Sequence, residues 1–401
     1  MSHASLTNTS ISQILKSKKL VIPTSLTLTL LLFTFLLNYT NPFTPLTSTF
    51  IPSIIGARNE STTVDNGSNR SCDIFNGRWV HDDSYPIYPP GSCPFIDKFS
   101  CFDHGRSDLG YLAYRWQPLG CDIPRFDGVK MLEMLRGKRL VFVGDSLNRN
   151  MCLSLICALS VHTGITKLEE PKHLYAFNVK DYNCSITNIE APFLVDRDTQ
   201  RGTLRLDKIE HKASEYYDAD FLMFNTGRWW NPSKAKRGEN FFQEGDFVHS
   251  KLDLEEAYGK ALKTWAKWVD GNVNKNKTRV FFAGISAAHF SGGQWNSGGN
   301  CNGETEPITN TTLLTRYPRM MRTLESVISN MSTPVIYLNI TQMTGYRKDA
   351  HPSIYWQSEA DRRPGMHQDC THWCIPGVPD SWNQLFYVSL LSSSNSSTRT
   401  Y

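Results

Sequence analysis

Ser146, in the run Val143-Gly144-Asp145-Ser146-Leu147, stands where an apolar stretch ends and a helical pattern begins. A serine at such a turn can act as an acyl-transfer nucleophile. Its hydroxyl is exposed above a sheet edge, and its N–H sits at a helix N-terminus, where a donor suits a developing oxyanion. The same residues can also be a plain helix cap, with Asp145 or Ser146 starting the helix. Separating the two readings requires a base and a group to orient it. Asp369-Cys-Thr-His372 offers both near the far end of the chain. That spacing lets the Asp369 carboxylate reach Nδ1 of His372 while Nε2 points at Ser146. His351 in Asp349-Ala-His351 and His289 in Ala288-His289-Phe290 are rival bases, and spacing alone does not decide among the three.

Other groups could complete the site. Gly144 and Asp145 flank the nucleophile, and Asn225 or the amide of Gly227 in Asn225-Thr-Gly227-Arg228-Trp229-Trp230 could meet an oxyanion; a turn built on Asn and Gly is the plain alternative. Arg228, Trp229 and Trp295 are candidate substrate contacts, because an aromatic face packs against the C–H face of a sugar and a cation attracts an acidic one. The glycine-rich stretch 286–301 suits either a tight loop or a close backbone approach to a ligand. Cys370 and Cys374 with His367 or His372 could hold zinc, but an oxidising compartment argues against it, and no metal site is expected.

The elements that must position these groups follow from periodicity. Residues 139–143, 219–224, 278–282 and 334–340 are short apolar runs of the kind that form buried parallel strands. Residues 148–159, 254–269, 316–328 and 380–391 carry helical spacing. Strands alternating with helices imply an α/β fold, a parallel sheet with helices on both faces. In such sheets chemistry gathers at the carboxyl ends of strands, where Ser146, Asn225 and Ser286 all fall.

The 401-residue chain has a net charge of only +4 and shows no dense Lys/Arg run, so nothing calls for a nucleic-acid partner. Residues 20–37 are uncharged and apolar, Lys16, Lys18 and Lys19 precede them, and the next basic residue is Arg58. That pattern fits a signal anchor over 20–39 with a cytosolic tail at 1–19 and the remainder across the membrane; a cleaved signal peptide is the competing reading. The 10 cysteines all lie after this segment, consistent with disulfides in an exported chain. Sequons begin at Asn59, Asn66, Asn69, Asn183, Asn276, Asn310, Asn330, Asn339 and Asn395. The expected organisation is a flexible stem at 40–70, a cysteine-rich block at 71–137, a catalytic domain at 138–392 and a disordered tail at 393–401.

Taken in order, Cys72-Asp-Ile-Phe-Asn-Gly-Arg-Trp79, Tyr114-Arg-Trp116, Gly144-Asp-Ser146, Asn225-Thr-Gly227, His289-Phe-Ser-Gly-Gly-Gln-Trp-Asn296 and Asp369-Cys-Thr-His-Trp-Cys374 resemble the plant trichome birefringence-like family of Golgi wall-polysaccharide O-acetyltransferases. The resemblance runs from about Cys72 to Tyr387. It implies an SGNH/GDSL-hydrolase-like core with a small disulfide-rich minor lobe, and disulfides tying the N-terminal cysteines to the core and to the loop around His372, with two cysteines left free. It implies a triad of Ser146, Asp369 and His372 that passes an acetyl group from a donor to a sugar hydroxyl, with no bound cofactor, in a single-pass type II protein of the Golgi membrane. Two positions depart from the family pattern: Arg228 stands where His is frequent, and Ala283 where Arg is usual. The expected activity is therefore a ping-pong O-acetyltransferase acting on a cell-wall polysaccharide such as xylan or pectin. An acetylesterase with the same triad and a non-catalytic wall-polysaccharide binding or bridging protein are the alternatives.

Overall fold

A computed structural model of the chain describes residues 72–96, 98–170, 173–290 and 300–396. Its strands are β1 (Gly77–His81), β2 (Tyr114–Pro118), β3 (Arg139–Gly144), β4 (Thr166–Glu170), β5 (His173–Val179), β6 (Cys184–Glu190), β7 (Val195–Asp198), β8 (Thr203–Ile209), β9 (Phe221–Phe224), β10 (Phe242–Glu244), β11 (Phe247–Val248), β12 (Arg279–Ala283) and β13 (Val335–Leu338). The α-helices are α1 (Gly128–Leu135), α2 (Ser146–Ser160), α3 (Leu254–Asn272), α4 (Arg319–Ser329), α5 (Thr341–Gly345) and α6 (Val378–Ser396).

The main sheet has the order β13-β12-β9-β3-β6-β5-β4. Its first five strands are parallel; four of them are the predicted apolar runs, and the fifth, β6, was not among these. β5 and β4 extend it antiparallel, so the sheet is mixed rather than wholly parallel. Alternate residues of each central strand enter different cores, because strand side chains point to opposite faces. Leu140, Phe142, Met223 and Phe281 pack with α1, α2 and α6. Val141, Val143, Leu222, Phe224, Val280 and Phe282 pack with α3 and α4. α2 is buried almost all round, from Leu147 to Leu159, as expected of a helix that is apolar on every side. A second, four-stranded sheet, β11-β10-β8-β7, has no counterpart in the sequence reading.

The cysteine-rich block holds the β1–β2 hairpin, closed by Cys72–Cys121. It has no core of its own: Tyr88, Phe99, Tyr111 and Trp116 are buried in the same cluster as α2 and α6. Cys93–Cys157 fastens it to α2, and Cys101–Cys374 to the segment before α6. Cys301–Cys370 closes a further loop, and Cys152 and Cys184 are free and buried. The expected stem, membrane anchor and C-terminal tail lie outside the described residues, apart from the start of the tail, where α6 runs on to Ser396. Among the described residues no helix is long and apolar enough to cross a membrane.

Candidate active site

The nucleophile turn is shaped by close packing of strand ends. A Cβ on Gly144 would lie 2.2 Å from the carbonyl oxygen of Asn225, so only glycine lets β3 and the loop after β9 run this close. Asp145 is then the N-cap of α2, accepting the Leu147 N–H at 2.9 Å through Oδ1 and the Arg228 N–H at 3.3 Å through Oδ2. Asn148 and Arg149 N–H bond to Asp145 O. The Ser146 N–H is thus the first-turn amide left without a partner among the described residues, at the positive end of the helix. Asp145 is both cap and bridge to the neighbouring loop; the cap and nucleophile readings of this turn are compatible.

His372 Nε2 lies 2.6 Å from Ser146 Oγ, and His372 Nδ1 lies 2.7 Å from Asp369 Oδ2. The other carboxylate oxygen of Asp369 accepts the N–H groups of Thr371 (3.1 Å) and His372 (3.0 Å). Burial alone would raise the Asp369 carboxyl, but the His372 imidazole and these amides hold it at about 2. The carboxylate is therefore ionised at any ordinary pH and fixes the His372 tautomer, leaving Nε2 to accept the serine proton.

The rival histidines are engaged elsewhere. His289 and His351 are buried; His289 Nε2 meets Gly345 O at 2.9 Å, and His351 Nδ1 meets His372 O at 2.6 Å. Neither lines the cleft. Ser286 is also buried, taking the Trp373 indole N–H at 3.2 Å. Cys370 and Cys374 are both in disulfides, so neither has a thiolate to offer a metal.

Asn225 does not fit the expected oxyanion role. Its side-chain amide donates to Ala283 O (3.0 Å) and Gly284 O (3.2 Å), so both hydrogens are used to bind β9 to the end of β12. The Gly227 N–H has no hydrogen-bond partner among the described residues, and neither have those of Thr226 and Trp229 in the same loop. The two tryptophans separate. Trp230 is core, packed on Phe193, Phe242 and Tyr258. Trp229 lines the cleft, under the Lys234 ammonium at 4.8 Å. Arg228 donates to Ser286 O and faces the cleft, where burial lowers its guanidinium to about 10. Ala283 is buried beneath, in the core shared with α2 and α6. Trp295 lies outside the described residues.

The cleft over Ser146 encloses about 670 Å³. Phe99, Trp229, Phe290 and Trp356 supply its apolar wall, while Lys98, Arg149, Arg228 and Lys234 supply cations. Phe99 and Arg149 escaped the sequence reading, as did Asn150. The Asn150 side chain accepts the Trp373 N–H at 2.8 Å and donates to Trp373 O at 3.1 Å, clamping the chain just after His372. An amide inside an apolar helical run was the one available signal, since a buried amide must find partners.

Residues 123–389 match a GDSL/SGNH-like acyl-esterase family found in Pmr5 and Cas1p, and residues 70–122 match the PMR5 N-terminal domain. Among similar proteins of Arabidopsis thaliana, protein trichome birefringence-like 4 is 52% identical over 376 residues, covering 87% of this chain and 82% of the relative. Trichome birefringence-like 1 is 51% identical over 348 residues (81% and 62%), and protein trichome birefringence 49% over 354 (83% and 58%). The chain thus spans less than two thirds of the latter two. With an acyl-esterase-type domain preceded by its characteristic N-terminal block, the chain belongs to the trichome birefringence-like family.

Proposed function

We propose that the chain is an O-acetyltransferase that carries an acetyl group on Ser146 and delivers it to a hydroxyl of a plant cell-wall polysaccharide. The observation that carries this reading is the continuous relay from Asp369 through His372 to Ser146, with steps of 2.7 and 2.6 Å. His372 Nε2 takes the Ser146 proton as Oγ attacks the acetyl carbonyl, and returns it to the donor's leaving group as the Oγ–acyl ester forms. A sugar hydroxyl then attacks that ester, its proton passing to His372 and on to Ser146 Oγ as the ester bond breaks. The N–H groups of Ser146 and Gly227 are the donors for the oxyanion of both steps. These steps use no cofactor beyond the acetyl donor.

The four cations around the cleft favour an acceptor that bears carboxylates, a uronic-acid-containing wall polysaccharide, over a neutral glucan. Trp229 and Trp356 offer ring faces for the sugar. The compartment that suits this chemistry is the Golgi lumen, with residues 20–39 as a type II anchor. Hydrolysis is the second reading, favoured by the acyl-esterase character of the matching family; it differs only in that water attacks the acyl-enzyme. The test incubates the full-length protein with an acetyl donor and a panel of acidic and neutral wall oligosaccharides, read by mass spectrometry. Acetylated acidic oligosaccharide with wild type and none with Ser146→Ala is expected; free acetate alone would favour the esterase. Transfer by Ser146→Ala at the wild-type rate rules out the acyl-serine route.

A further inference from the structure

We propose that the edge of the main sheet opposite the cleft is an N-glycosylated face, with glycans on Asn183, Asn276 and Asn330, and that Asn339, on the catalytic edge, stays unmodified. The proposal rests on the lumenal placement in the reading above; the acyl-transfer chemistry plays no part in it.

The parallel strands give the main sheet two distinct edges. Ser146 comes after β3 and Arg228 after β9, so the cleft they line lies beyond the carboxyl ends. Three sequons lie at the other end. Asn183-Cys-Ser185 enters β6, Asn276-Lys-Thr278 enters β12, and Asn330-Met-Ser332 leads to β13. The registers set these strand starts in one row: Ser185 pairs with Arg139, Arg279 with Phe221, and Val335 with Val280. The 6 residues of β3 separate this row from the nucleophile turn, on the order of 20 Å at the usual strand rise.

The last residue of each of these sequons is tied to a neighbouring element. Ser185 N–H donates to Lys138 O at 3.1 Å, the Thr278 hydroxyl to Ala219 O at 2.6 Å, and Ser332 N–H to Asp270 of α3 at 3.0 Å. The asparagines themselves are exposed, and each sits in a turn. Asn183 ends a 3₁₀ segment at φ 48° and ψ 41°, a left-handed conformation that asparagine tolerates. Asn276 N–H donates to Asn274 Oδ1 at 3.0 Å, and Asn330 caps the C-terminus of α4. The Asn183 and Asn276 side chains bond to no described residue, and the Asn330 amide gives one of its two hydrogens to Ser326 O at 2.6 Å. Each therefore keeps an Nδ2 hydrogen to lose.

Asn339 stands differently. It follows the carboxyl end of β13 between the buried residues Leu338 and Ile340, and its own side-chain oxygen is buried. A glycan on Nδ2, joined to the same carbon, would have to leave through that enclosure. Asn310, though exposed, lies in the connection that leaves the carboxyl end of β12 and is not part of the row.

The modification joins Asn Nδ2 to the anomeric carbon of a lipid-diphosphate-linked oligosaccharide. The bond from that carbon to the diphosphate oxygen breaks, the lipid diphosphate leaves, and one Nδ2 hydrogen departs as a proton. The bulky, hydrophilic product keeps the amino-end edge in solvent, and the carboxyl-end edge is left for a polymeric substrate.

Glycopeptides of the full-length protein from plant cells, read by site-resolving mass spectrometry, test the assignment. Glycans are expected on Asn183, Asn276 and Asn330 in most molecules, with Asn339 bare. Any of the three bare in most molecules, or Asn339 occupied in most, overturns it. Glycans confined to the sequons at Asn59, Asn66 and Asn69 would do so with the lumenal placement intact; a chain with no glycan and reduced cysteines would sink that placement as well. Aspartate suits the same turns, so the combined variant Asn183→Asp, Asn276→Asp, Asn330→Asp should lose these glycans and hydrolyse p-nitrophenyl acetate with kcat and KM within about twofold of wild type. A loss of about tenfold in kcat by a folded variant would show that this face is not separate from the cleft.

Discussion

Replacing Asp369 by asparagine tests whether the carboxylate does more than shape the loop. The amide is nearly isosteric, and its oxygen can keep the Thr371 and His372 N–H groups, now at 3.1 and 3.0 Å. What changes is the atom opposite His372 Nδ1, at 2.7 Å. An NH₂ there is a donor, so the imidazole must present a bare Nδ1 to it and carry its hydrogen on Nε2. That hydrogen then points at Ser146 Oγ, 2.6 Å away, and the ring cannot take the serine proton. Loss of the correct tautomer in a serine triad lowers kcat about 10⁴-fold, or about 5.5 kcal/mol of activation free energy. KM should barely move. Stability should fall by at most about 2 kcal/mol: the three hydrogen bonds keep partners, but a carboxylate held at about 2 against an unfolded 3.8 stabilises the fold at neutral pH and is lost. The assay is the burst of p-nitrophenol from p-nitrophenyl acetate, with thermal unfolding in parallel. A variant within tenfold of wild type in kcat, and folded at the assay temperature, would refute the tautomer argument. Acid should not imitate the substitution: with the carboxyl held at about 2, its contribution is complete above the unfolded value of 3.8 and is lost only as pH falls through about 2.

Ser353, which exchanges backbone hydrogen bonds of 2.8 and 2.9 Å with Asp369, has φ 54° and ψ −115°. Glycine adopts that region freely, so Ser353→Gly should stabilise by about 1 kcal/mol in urea unfolding with kcat retained; a fall in stability would show that the Ser353 hydroxyl bond to Gln368 outweighs the strain. Replacing Cys301 and Cys370 by serine opens a loop with a sequence separation of 69. On the chain-entropy account it should lower stability by at most about 4 kcal/mol, and kcat with it, since Cys370 adjoins Asp369; an unchanged melting temperature would contradict this. Burial raises the Asp380 carboxyl to about 6, against the lowering effect of donors from Ser154, Gly377 and Tyr88. The folded value lies above the unfolded 3.8, so the native state holds the extra proton, and stability should decline between about pH 4 and pH 6, by at most about 3 kcal/mol, and level off beyond. Urea midpoints across that range should show the decline in wild type and its loss in Asp380→Asn.

The parallel half of the fold was legible because its strands are buried on both faces. Arg139-Leu-Val-Phe-Val143 and Arg279-Val-Phe-Phe282 leave few readings open, and the helices 254–269 and 380–391 begin within two residues of where α3 and α6 begin. The antiparallel half was not. β7, β8 and β10 interleave Asp, Arg, Lys and Gln with their apolar residues, and they are short, so a half-exposed strand of this kind resembles a polar loop. The β1–β2 hairpin was hidden differently: its partners in the core are aromatic residues spread through a Pro/Gly-rich block, and long-range disulfides replace the periodicity that would have revealed it.

At the site, residue type and order sufficed to single out Ser146, Asp369 and His372, which the structure brings within hydrogen-bonding distance of one another, because few residue types suit the roles proposed for them. Asn225 was misjudged because the aim of an amide is set by tertiary contacts; an asparagine after a strand reads the same whether it faces a cleft or the next strand's carbonyls. Nor could the sequence show how a base 226 positions from its nucleophile is held within 2.6 Å of it. The structure answers through α2. Ser146 and Asn150 lie four residues apart, on one face of the helix and about 6 Å apart along it. Asn150 grips both the N–H and the C=O of Trp373, the residue after His372. The helix that presents the nucleophile therefore also fixes the base, so a shift of α2 against the sheet carries both groups together. Cys101–Cys374 and Cys301–Cys370 then restrain the loop on either side of His372, and the separation that matters for proton transfer is governed by one turn of helix, not by the 226 residues between.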